Sequence, residues 1–538
     1  MRQAYEFTNP ITRMDYPDVD VIRVEDTYYM ISTTMHFMPG GVILRSYDLI
    51  NWEIASYVYD TLDDTEGQRL LGDKNIYGQG MWAPSFRYHN GMFYVCFAAN
   101  DTRKTYLYTA DNIEGPWRKQ YIEGFYHDCT LLFDNDRVFI IYGNGSIYLT
   151  ELNKELTGKK PDGLHRIIIK EDNPILGYEG AHAYKINDKY YVFLIHSDPS
   201  RWFRTEACYI SNSLEGEFIG GEVLADDMEY HDQGVAQGGI VDTPDGKWNA
   251  MLFQDRGAVG RIPVLVPMEF KDESVVMGGE GKVPKDISTI STRPNYIYEH
   301  LYASDDFIYQ PNEDGKISLK NVWQWNHNPD HNLWSVTDNP GHLRIKSGKL
   351  SKNVTQAVNT LTQRMIYPEC EAYVTVDGSG LKDGDYAGIS AFQGCYGLVA
   401  LHKDKGRYYL VMQGRENRDS RSGTDNSNNY NGKEYSRIPW DSDKVVLKVK
   451  GDFADMIDEA NFYYADNAQI NQIGQMGQMK QLDQKGQIQD YEWKKIGITQ
   501  KLFFILDHFC GCRFGLFMYS TKEVGGYADF SDFRYITL

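Results

Sequence analysis

The sequence predicts an all-β protein in which a five-bladed β-propeller is followed by a β-sandwich. Three observations carry this prediction: one strand-and-turn unit recurs five times between residues 18 and 255, that stretch shows no helical periodicity, and 14% of the 538 residues are aromatic, which favours strands. A chain of this length is too long for one ordinary core. We therefore expect two domains, the propeller over residues 1–300 and the sandwich over residues 301–538.

The recurring unit has the pattern of a propeller blade. Each copy begins with a short apolar strand, passes through a turn rich in Asp, Asn and Gly, and continues into a strand dense in Tyr and Phe. The copies cover residues 18–32, 82–100, 127–143, 179–196 and 237–255, and their first turns are predicted at 25–26, 89–91, 134–136, 187–188 and 244–246. A spacing of about 45–65 residues suits a four-stranded blade, whereas a series of β-sandwiches would not repeat one internal order.

The second half of the chain carries the signals of a sandwich. Segment 271–300 is rich in Lys, Gly, Ser and Pro and is interpreted as a linker. The predicted strands after it include residues 341–348, 370–380, 386–404, 407–414 and 513–538. The polar stretch 415–437 is predicted to be a long loop, and segment 452–490 to hold a short helix or a mobile loop.

Charge and cysteine usage exclude several classes of function. The formal net charge is −20, so the chain would repel nucleic acid, and neutral substrates fit better. The seven cysteines are scattered, which argues against a disulfide framework and against structural zinc. The first 18 residues lack an apolar segment long enough for a signal peptide or a membrane span. We expect a protein that does not enter a membrane and is cytoplasmic, or periplasmic or secreted if a leader was removed.

Polar residues at the starts of the blades form the candidate site. The first strand of a propeller blade lies innermost, so residues at its start face one central well. Carboxylates occupy such positions at three blades, and Trp82 opens blade 2. The candidates are Asp15, Asp18 and Asp20 before blade 1, Asp128 at blade 3 and Glu179 at blade 4. Glycoside hydrolysis needs two carboxyl groups of opposite protonation, and a third can hold the proton of the acid by like-charge repulsion. The residues alone do not say which group is the acid.

The chain resembles glycoside hydrolase family 43 over nearly its whole length. The motifs that carry the resemblance are residues 9–30, 80–95, 127–134, 177–193 and 236–267, with 321–336 and 513–530 in the second domain. The resemblance implies that Asp15 is the general base, Glu179 the general acid and Asp128 the carboxylate that raises the pKa of the acid and orients it. It also implies inversion of configuration and a concanavalin-like sandwich.

Further site residues follow from the same resemblance. Trp82 matches a wall of the terminal-sugar subsite, and Arg261 an arginine near the hydroxyls of that sugar. His36 and Phe37 are expected to line the pocket or, as an alternative, to pack within the blade. Many relatives carry a His on the first strand of blade 5 that ligates a cation or water in the axial channel, whereas this chain has Gln237 there. That departure puts a metal in the channel in doubt. Gln237 is expected to be a substrate-binding residue.

No cofactor is expected to be required for the reaction. Four aspartates of the second domain are interpreted either as ligands of a structural calcium ion or as solvated surface residues. The candidate ligands are Asp305, Asp306, Asp529 and Asp532.

The resemblance implies that the protein is an inverting exo-glycosidase that removes terminal sugars from arabinoxylan, xyloglucan or xylan fragments. The terminal sugar is α-L-arabinofuranose or β-D-xylopyranose, and the Gln-Gly-Gly variant of blade 5 favours the former. One alternative is an enzyme that acts mainly as a β-xylosidase on xylo-oligosaccharides. An alternative of another class is a carbohydrate-binding protein without catalysis, against which the retained carboxylates argue. The sequence leaves self-association into a homo-oligomer open.

Overall fold

The computed structural model describes residues 4–272, 274–313, 315–415, 432–465, 491–504 and 510–538. These residues form strands and short 3-10 turns, the latter at Gly257–Val259, Val354–Gln356 and Ala454–Met456. Within this described part, no helix is both long and apolar enough to span a bilayer. The all-β prediction is confirmed for these residues.

The chain forms two compact units. The first contains Met1–Asp64, Ile76–Leu301 and Phe509–Gly511. The second contains Thr65–Asn75, Tyr302–His508 and Cys512–Leu538. Each unit therefore includes a short segment that the sequence order alone would assign to the other.

The first unit is a propeller of five four-stranded antiparallel sheets, as predicted. Blade 1 comprises Asp20–Val24, Thr27–Ser32, Gly40–Ser46 and Glu53–Tyr59, with the two-residue strand Phe37–Met38 before its third strand. Blade 2 comprises Ser85–His89, Met92–Ala99, Lys104–Ala110 and Arg118–Ile122. Blade 3 comprises Thr130–Asp134, Arg137–Asn144, Ser146–Leu152 and His165–Lys170. Blade 4 comprises Glu179–Ile186, Lys189–Ser197, Arg204–Ser211 and Ile219–Leu224. Blade 5 comprises Ala236–Asp242, Trp248–Asp255, Arg261–Phe270 and Val275–Met277.

The predicted turns all join the first two strands of a blade. Val24 pairs with Thr27 across the first turn, and Ile186 pairs with Lys189 across the fourth. Asn90, Asn135 and Asn187 adopt positive φ angles there, a conformation that short polar side chains tolerate better than branched ones. The turn chemistry of the sequence therefore set the hairpin positions correctly.

The linker prediction for residues 271–300 is wrong in two places. Val275–Met277 is the outermost strand of blade 5, and Asp286–Ile290 pairs antiparallel with Ala4–Thr8. Both strands are short and lie among turn residues, so their composition resembles that of a connection.

Apolar side chains between neighbouring blades form the core of the propeller. One buried cluster joins blades 1 and 2 around Phe86 and Phe97, and another joins blades 3 and 4 around Phe139 and Leu194. The innermost strands contact one another in a ring, and the ring closes where the Gly239 N–H of blade 5 donates to the Val19 carbonyl at 3.1 Å. This packing fixes the starts of the innermost strands around one axis.

The second unit contains two antiparallel sheets. Within this unit one sheet runs in the order Lys433–Trp440, Arg407–Gly414, Gly397–Asp404, Asp385–Phe392, Arg513–Ser520, Leu361–Arg364 and Gln324–Asn326. The other runs in the order Trp334–Ser335, Leu343–Lys346, Tyr527–Thr537, Glu369–Asp377, Lys444–Asp452, Glu459–Ala465 and Lys494–Lys495, and Gln500–Lys501 also pairs with Glu459–Ala465. The sandwich prediction is confirmed.

Two loop predictions in this unit need correction. Residues 433–437 of the predicted loop 415–437 belong to an edge strand. Segment 452–490 contains a short 3-10 helix at Ala454–Met456, but its residues 459–465 form a strand. Tyr435, Tyr463 and Tyr464 show why, since aromatic residues pair and pack in strands even where charges surround them in sequence. The rest of those predictions, at 416–431 and 466–490, lies outside the described residues.

Candidate active site

The three predicted carboxylates start from three different parts of the propeller. Asp15 precedes blade 1, Asp128 lies just before the first strand of blade 3, and Glu179 is the first residue of the first strand of blade 4. Asp15 and Asp128 are buried, whereas Glu179 is half-buried. Because innermost strands begin around one axis, chain segments more than 100 residues apart contribute to one well.

The Asp15 carboxylate is held by two backbone N–H groups. The Arg261 N–H donates to its Oδ1 at 2.8 Å, and the Gly511 N–H donates to its Oδ2 at 2.8 Å. Hydrogen bonds from fixed backbone donors favour the ionised form of a carboxyl group and hold its orientation. The two donors therefore hold the Asp15 carboxylate in one orientation.

Two glycines allow the backbone to approach Asp15 this closely. A Cβ atom on Gly260 would lie 2.2 Å from Oδ1 of Asp15, and one on Gly511 would lie 2.7 Å from the Asp15 Cβ and 2.1 Å from the Val259 carbonyl oxygen. Neither distance is compatible with a real side chain. Gly260 also has a φ of 107°, which disfavours other residues.

Arg261 connects this carboxylate to the rest of the well. Its guanidinium donates from Nη1 to Oδ1 of Asp18 at 2.6 Å, and its Nε lies 3.4 Å from Oδ1 of Asp255. The guanidinium also lies 4.7 Å from the centre of the Phe253 ring. Asp18 and Asp255 neutralise a buried cation that would otherwise be costly, so the position of Arg261 is strongly determined.

Three titratable side chains lie together as an acid–base group: Asp128, His127 and Glu179. The His127 Nε2 lies 3.7 Å from Oδ2 of Asp128 and 3.5 Å from Oε2 of Glu179. Burial raises the pKa of Asp128 to about 7, and the neighbouring Glu179 charge acts in the same direction. The Asp128 carboxylate in turn raises the pKa of His127 to about 9, assisted by the hydrogen bond with Glu179. The well therefore holds exchangeable protons near neutral pH.

Asn144 and Trp82 complete the surroundings of this group. The Asn144 Nδ2 donates to Oε2 of Glu179, at the end of the second strand of blade 3. The Trp82 ring lies 5.5 Å from the ring of His127, with its Nε1 3.3 Å from the Gly78 carbonyl oxygen to which it donates. The predicted subsite tryptophan thus stands beside the acid–base group.

Gln237 of blade 5 lies against Gly180, the residue that follows Glu179 in blade 4. A Cβ atom on Gly180 would lie 2.6 Å from its side-chain Cδ, and its own backbone N–H donates to Oε2 of the buried Glu206 at 2.7 Å. Burial raises the pKa of Glu206 well above its usual range. Gln237 therefore supports the backbone that carries Glu179.

The axis beneath the well fits a cation poorly. Asp20 is fully buried, and its carboxylate already pairs with Arg87 at 2.6 Å and lies 3.3 Å from Nδ1 of His182. It also accepts a hydrogen bond from the Phe86 N–H at 2.7 Å. A buried carboxylate that is neutralised by a guanidinium has little negative charge left for a metal ion.

His36 and Phe37 lie in an aromatic cluster of the first unit. Their rings are 4.3 Å apart, and the His36 ring lies 4.7 Å from that of Tyr77. Their exposed fractions are 0% and 1%, so packing accounts for these contacts. A role for either residue in lining a pocket stays a prediction.

The aspartates suggested for calcium have basic partners in the second unit. Asp529 accepts two hydrogen bonds of 2.7 Å from Arg344, and Asp306 pairs with Arg534 at 2.6 Å. A calcium ion there stays a prediction. Among the residues that the structure describes, one group of at least three His, Cys, Asp or Glu side chains has ligand atoms close enough to share a metal ion: His127, Asp128 and Glu179, within 4.8 Å.

Sequence reasoning missed three residues of the site. His127 was detectable, because it adjoins Asp128 at the start of a repeat. Asn144 gave a weaker signal, since it is the last residue of a strand and lies one residue beyond the recognised repeat 127–143. Gly511 gave none, because nothing in the sequence places residue 511 beside residue 15.

Two family models and several known proteins match this chain. Residues 7–275 match the family model described as glycosyl hydrolases family 43, and residues 315–536 match that of the beta-xylosidase C-terminal concanavalin A-like domain. A beta-xylosidase of Formosa agariphila is 27% identical over 76% of this chain and 78% of its own length. A non-reducing end alpha-L-arabinofuranosidase of Bacteroides ovatus is 25% identical over 76% of each chain.

One solved structure shows the same fold over nearly the whole of this chain. A bifunctional GH43-CE protein of Bacteroides eggerthii superposes with a TM-score of 0.86 at 40% identity. The match covers 99% of this chain and 64% of that one, so this chain spans under two thirds of its length.

Proposed function

Because the chain belongs to glycosyl hydrolase family 43 and is a glycosidase, we propose that it removes terminal α-L-arabinofuranosyl or β-D-xylopyranosyl residues with inversion. The observation that carries the proposal is the contrast between its carboxyl groups. Both oxygens of the Asp15 carboxylate accept hydrogen bonds from backbone N–H groups, whereas burial raises the pKa of Asp128 to about 7 beside His127, which lies 3.5 Å from Glu179. Inverting hydrolysis needs this pairing of a base with an acid.

Each side chain then has a distinct role. Asp15 takes the proton of the attacking water, and the two backbone N–H groups hold its carboxylate in one orientation for this step. Glu179 gives its proton to the leaving oxygen, and Asn144 orients its carboxyl group. Asp128 keeps negative charge close to Glu179 and so favours the protonated acid. Trp82 and Arg261 bound the terminal sugar, with Arg261 near its hydroxyls.

The choice of sugar rests on the relatives. One relative is named a beta-xylosidase and another an alpha-L-arabinofuranosidase, and both cover about three quarters of this chain. Gln237 in place of histidine favours the arabinofuranosidase. The parent polymers are arabinoxylan, xyloglucan or xylan fragments.

A side-by-side assay tests the proposal. We expect the protein to hydrolyse an aryl α-L-arabinofuranoside with a higher kcat/KM than the matching β-D-xylopyranoside. The reverse ratio would make it a β-xylosidase. Failure on both substrates and on arabinoxylan and xylo-oligosaccharides would refute the proposed activity.

The stereochemistry of the product is a second expected result. Proton NMR of the first turnover should show the anomer opposite to that of the substrate, because water attacks the face away from the leaving group. The spectrum must be recorded before mutarotation equilibrates the sugar. Retention in the first spectra would show that a side chain, rather than water, attacks the anomeric carbon.

The rate–pH profile should separate Asp128 from His127. Asp128→Asn removes a negative charge beside Glu179, so the acid loses its proton at lower pH and the alkaline limb of kcat/KM shifts downward. His127→Gln removes a positive charge 3.5 Å from Glu179, so the same limb shifts upward. The two variants control for each other, since general damage to the well would not move the limb in opposite directions. Shifts of the same sign would contradict these roles.

A further inference from the structure

The second unit contains a cavity of about 500 Å³ formed entirely by its own residues. That volume is within the range of small-molecule binding pockets. Its walls come from three sources: the sheet that contains Tyr386, Gln413 and Tyr519, the segment that contains Ser351 and Gln356, and the short segment that contains Asp73. Distant parts of the chain therefore converge on one concave surface.

Two tyrosine rings, those of Tyr386 and Tyr519, line the cavity, and His402 stacks on Tyr386 next to them. Tyr386 pairs directly across strands with both Tyr519 and His402, so the three rings point to one face of the sheet. The Tyr386 and Tyr519 ring centres are 5.1 Å apart at an interplanar angle of 10°, and the Tyr386 and His402 ring centres are 3.9 Å apart. Stacking already holds the tyrosine rings in place. A ligand that binds against them therefore costs little further side-chain conformational entropy.

Polar groups accompany these rings. Gln413 is 8% exposed, and its Oε1 accepts a hydrogen bond of 3.3 Å from the Tyr519 hydroxyl. On the opposite wall, the Gln356 Nε2 donates to Oδ1 of Asp73 at 3.2 Å, while its Oε1 accepts from the Lys352 N–H at 2.9 Å. Both amide side chains are thus fixed by the protein, as binding groups need to be.

The charge of the lining selects the class of ligand. Asp73 and Lys352 are its two charged side chains, and they lie 3.5 Å apart, so their charges cancel. Amide, hydroxyl and carboxylate groups next to aromatic rings suit a neutral molecule with many hydroxyl groups and one less polar face. Among the described lining residues, the one positive side chain is that of Lys352, and it is paired with Asp73.

We propose that this cavity is a binding site for a short neutral saccharide, distinct from the hydrolytic well of the first unit. Tyr386 and Tyr519 present the aromatic side of the site. Gln413, Gln356 and Asp73 provide donors and acceptors for sugar hydroxyls. Such a site would hold a substrate chain on the enzyme between hydrolytic events, which raises its effective concentration.

The test counts saccharides bound to the full chain. Xylotriose and an arabinan trisaccharide are titrated calorimetrically into Glu179→Gln, and into Glu179→Gln combined with Tyr386→Ala. We expect the second protein to bind one saccharide fewer per chain, or to lose at least tenfold in the affinity of one of two sites. Equal stoichiometry and affinities in both proteins would overturn the proposal.

Matched variants separate the site from general effects. Gln413→Ala serves as a second lining variant should Tyr386→Ala not fold, and it should reproduce the loss. Tyr463→Ala, at a half-buried tyrosine of the other sheet, should leave both affinities unchanged. Inorganic phosphate is the anionic probe, and its binding at the cavity in place of either trisaccharide would refute the neutral class.

The difference in the number of saccharides bound does not depend on which residues act as acid and base in hydrolysis. If Glu179 were not the acid, Glu179→Gln would keep its hydrolytic activity on aryl glycosides, yet the difference of one site between the two proteins would remain. If the cavity bound no saccharide, hydrolysis would still follow the predictions above, and the two proteins would bind the same number of saccharides.

Discussion

Asp15→Asn is expected to lower kcat on aryl glycosides by roughly 10²–10⁴-fold with little change in KM, because the variant cannot accept a proton from water. The amide must also set an NH₂ group against one of the two backbone donors, Arg261 N–H or Gly511 N–H, in place of a carboxylate oxygen. Steady-state kinetics give both constants, and a melting curve checks that the variant is folded.

A control at another aspartate makes this result specific. Asp245→Asn makes the same chemical change in the first hairpin of blade 5, where the carboxylate accepts from the Thr243 hydroxyl at 2.6 Å. Its kcat should remain that of the native protein. A folded Asp15→Asn protein with kcat within threefold of native would eliminate Asp15 as the base.

Glu179→Gln distinguishes the acid from the base. Loss of the acid is severe for a sugar leaving group, which needs a proton, and mild for a dinitrophenol, which leaves as an anion. Loss of the base at Asp15 should slow both substrates alike. Equal losses on both substrates in Glu179→Gln would argue against its role as proton donor.

Gly511→Ala is the second large expected effect. The new Cβ would lie 2.1 Å from the Val259 carbonyl oxygen and 2.7 Å from the Asp15 Cβ, so the segment or the carboxylate must move. A displacement of about 1 Å in a reacting group can cost about 10²-fold in rate. We expect kcat to fall by about that factor, while the affinity for the product sugar, measured as competitive inhibition, changes far less.

An open glycine provides the matched control for this variant. A Cβ on Gly221, in the outermost strand of blade 4, would meet no atom within 4 Å. Gly221→Ala should therefore retain native kcat. If Gly511→Ala were as active as Gly221→Ala, the hydrogen bond from residue 511 to Asp15 would have no part in holding the base.

Local patterns in the sequence were sufficient for the propeller and for its carboxylates. The five hairpins are encoded by short turn motifs such as His89-Asn90-Gly91, whose residues adopt the turn whatever lies beyond it. The repeat then places Asp128 and Glu179 at equivalent points of two blades. Short strands such as Asp286–Ile290 escaped detection because their pairing partner lies at the far end of the unit.

The sequence by itself determined the fold class, the number of blades and which carboxylates begin the innermost strands, because these depend on residues close together in the chain. Only the tertiary structure decided how those carboxylates are held. The clamp on Asp15 unites residues 15, 261 and 511, and the acid–base group brings His127 within 3.5 Å of Glu179. Every residue except proline has a backbone N–H group, so no side-chain pattern in the sequence predicts which of them will bind Asp15. Burial raises the pKa of a carboxyl group only when segments distant in sequence exclude water from it.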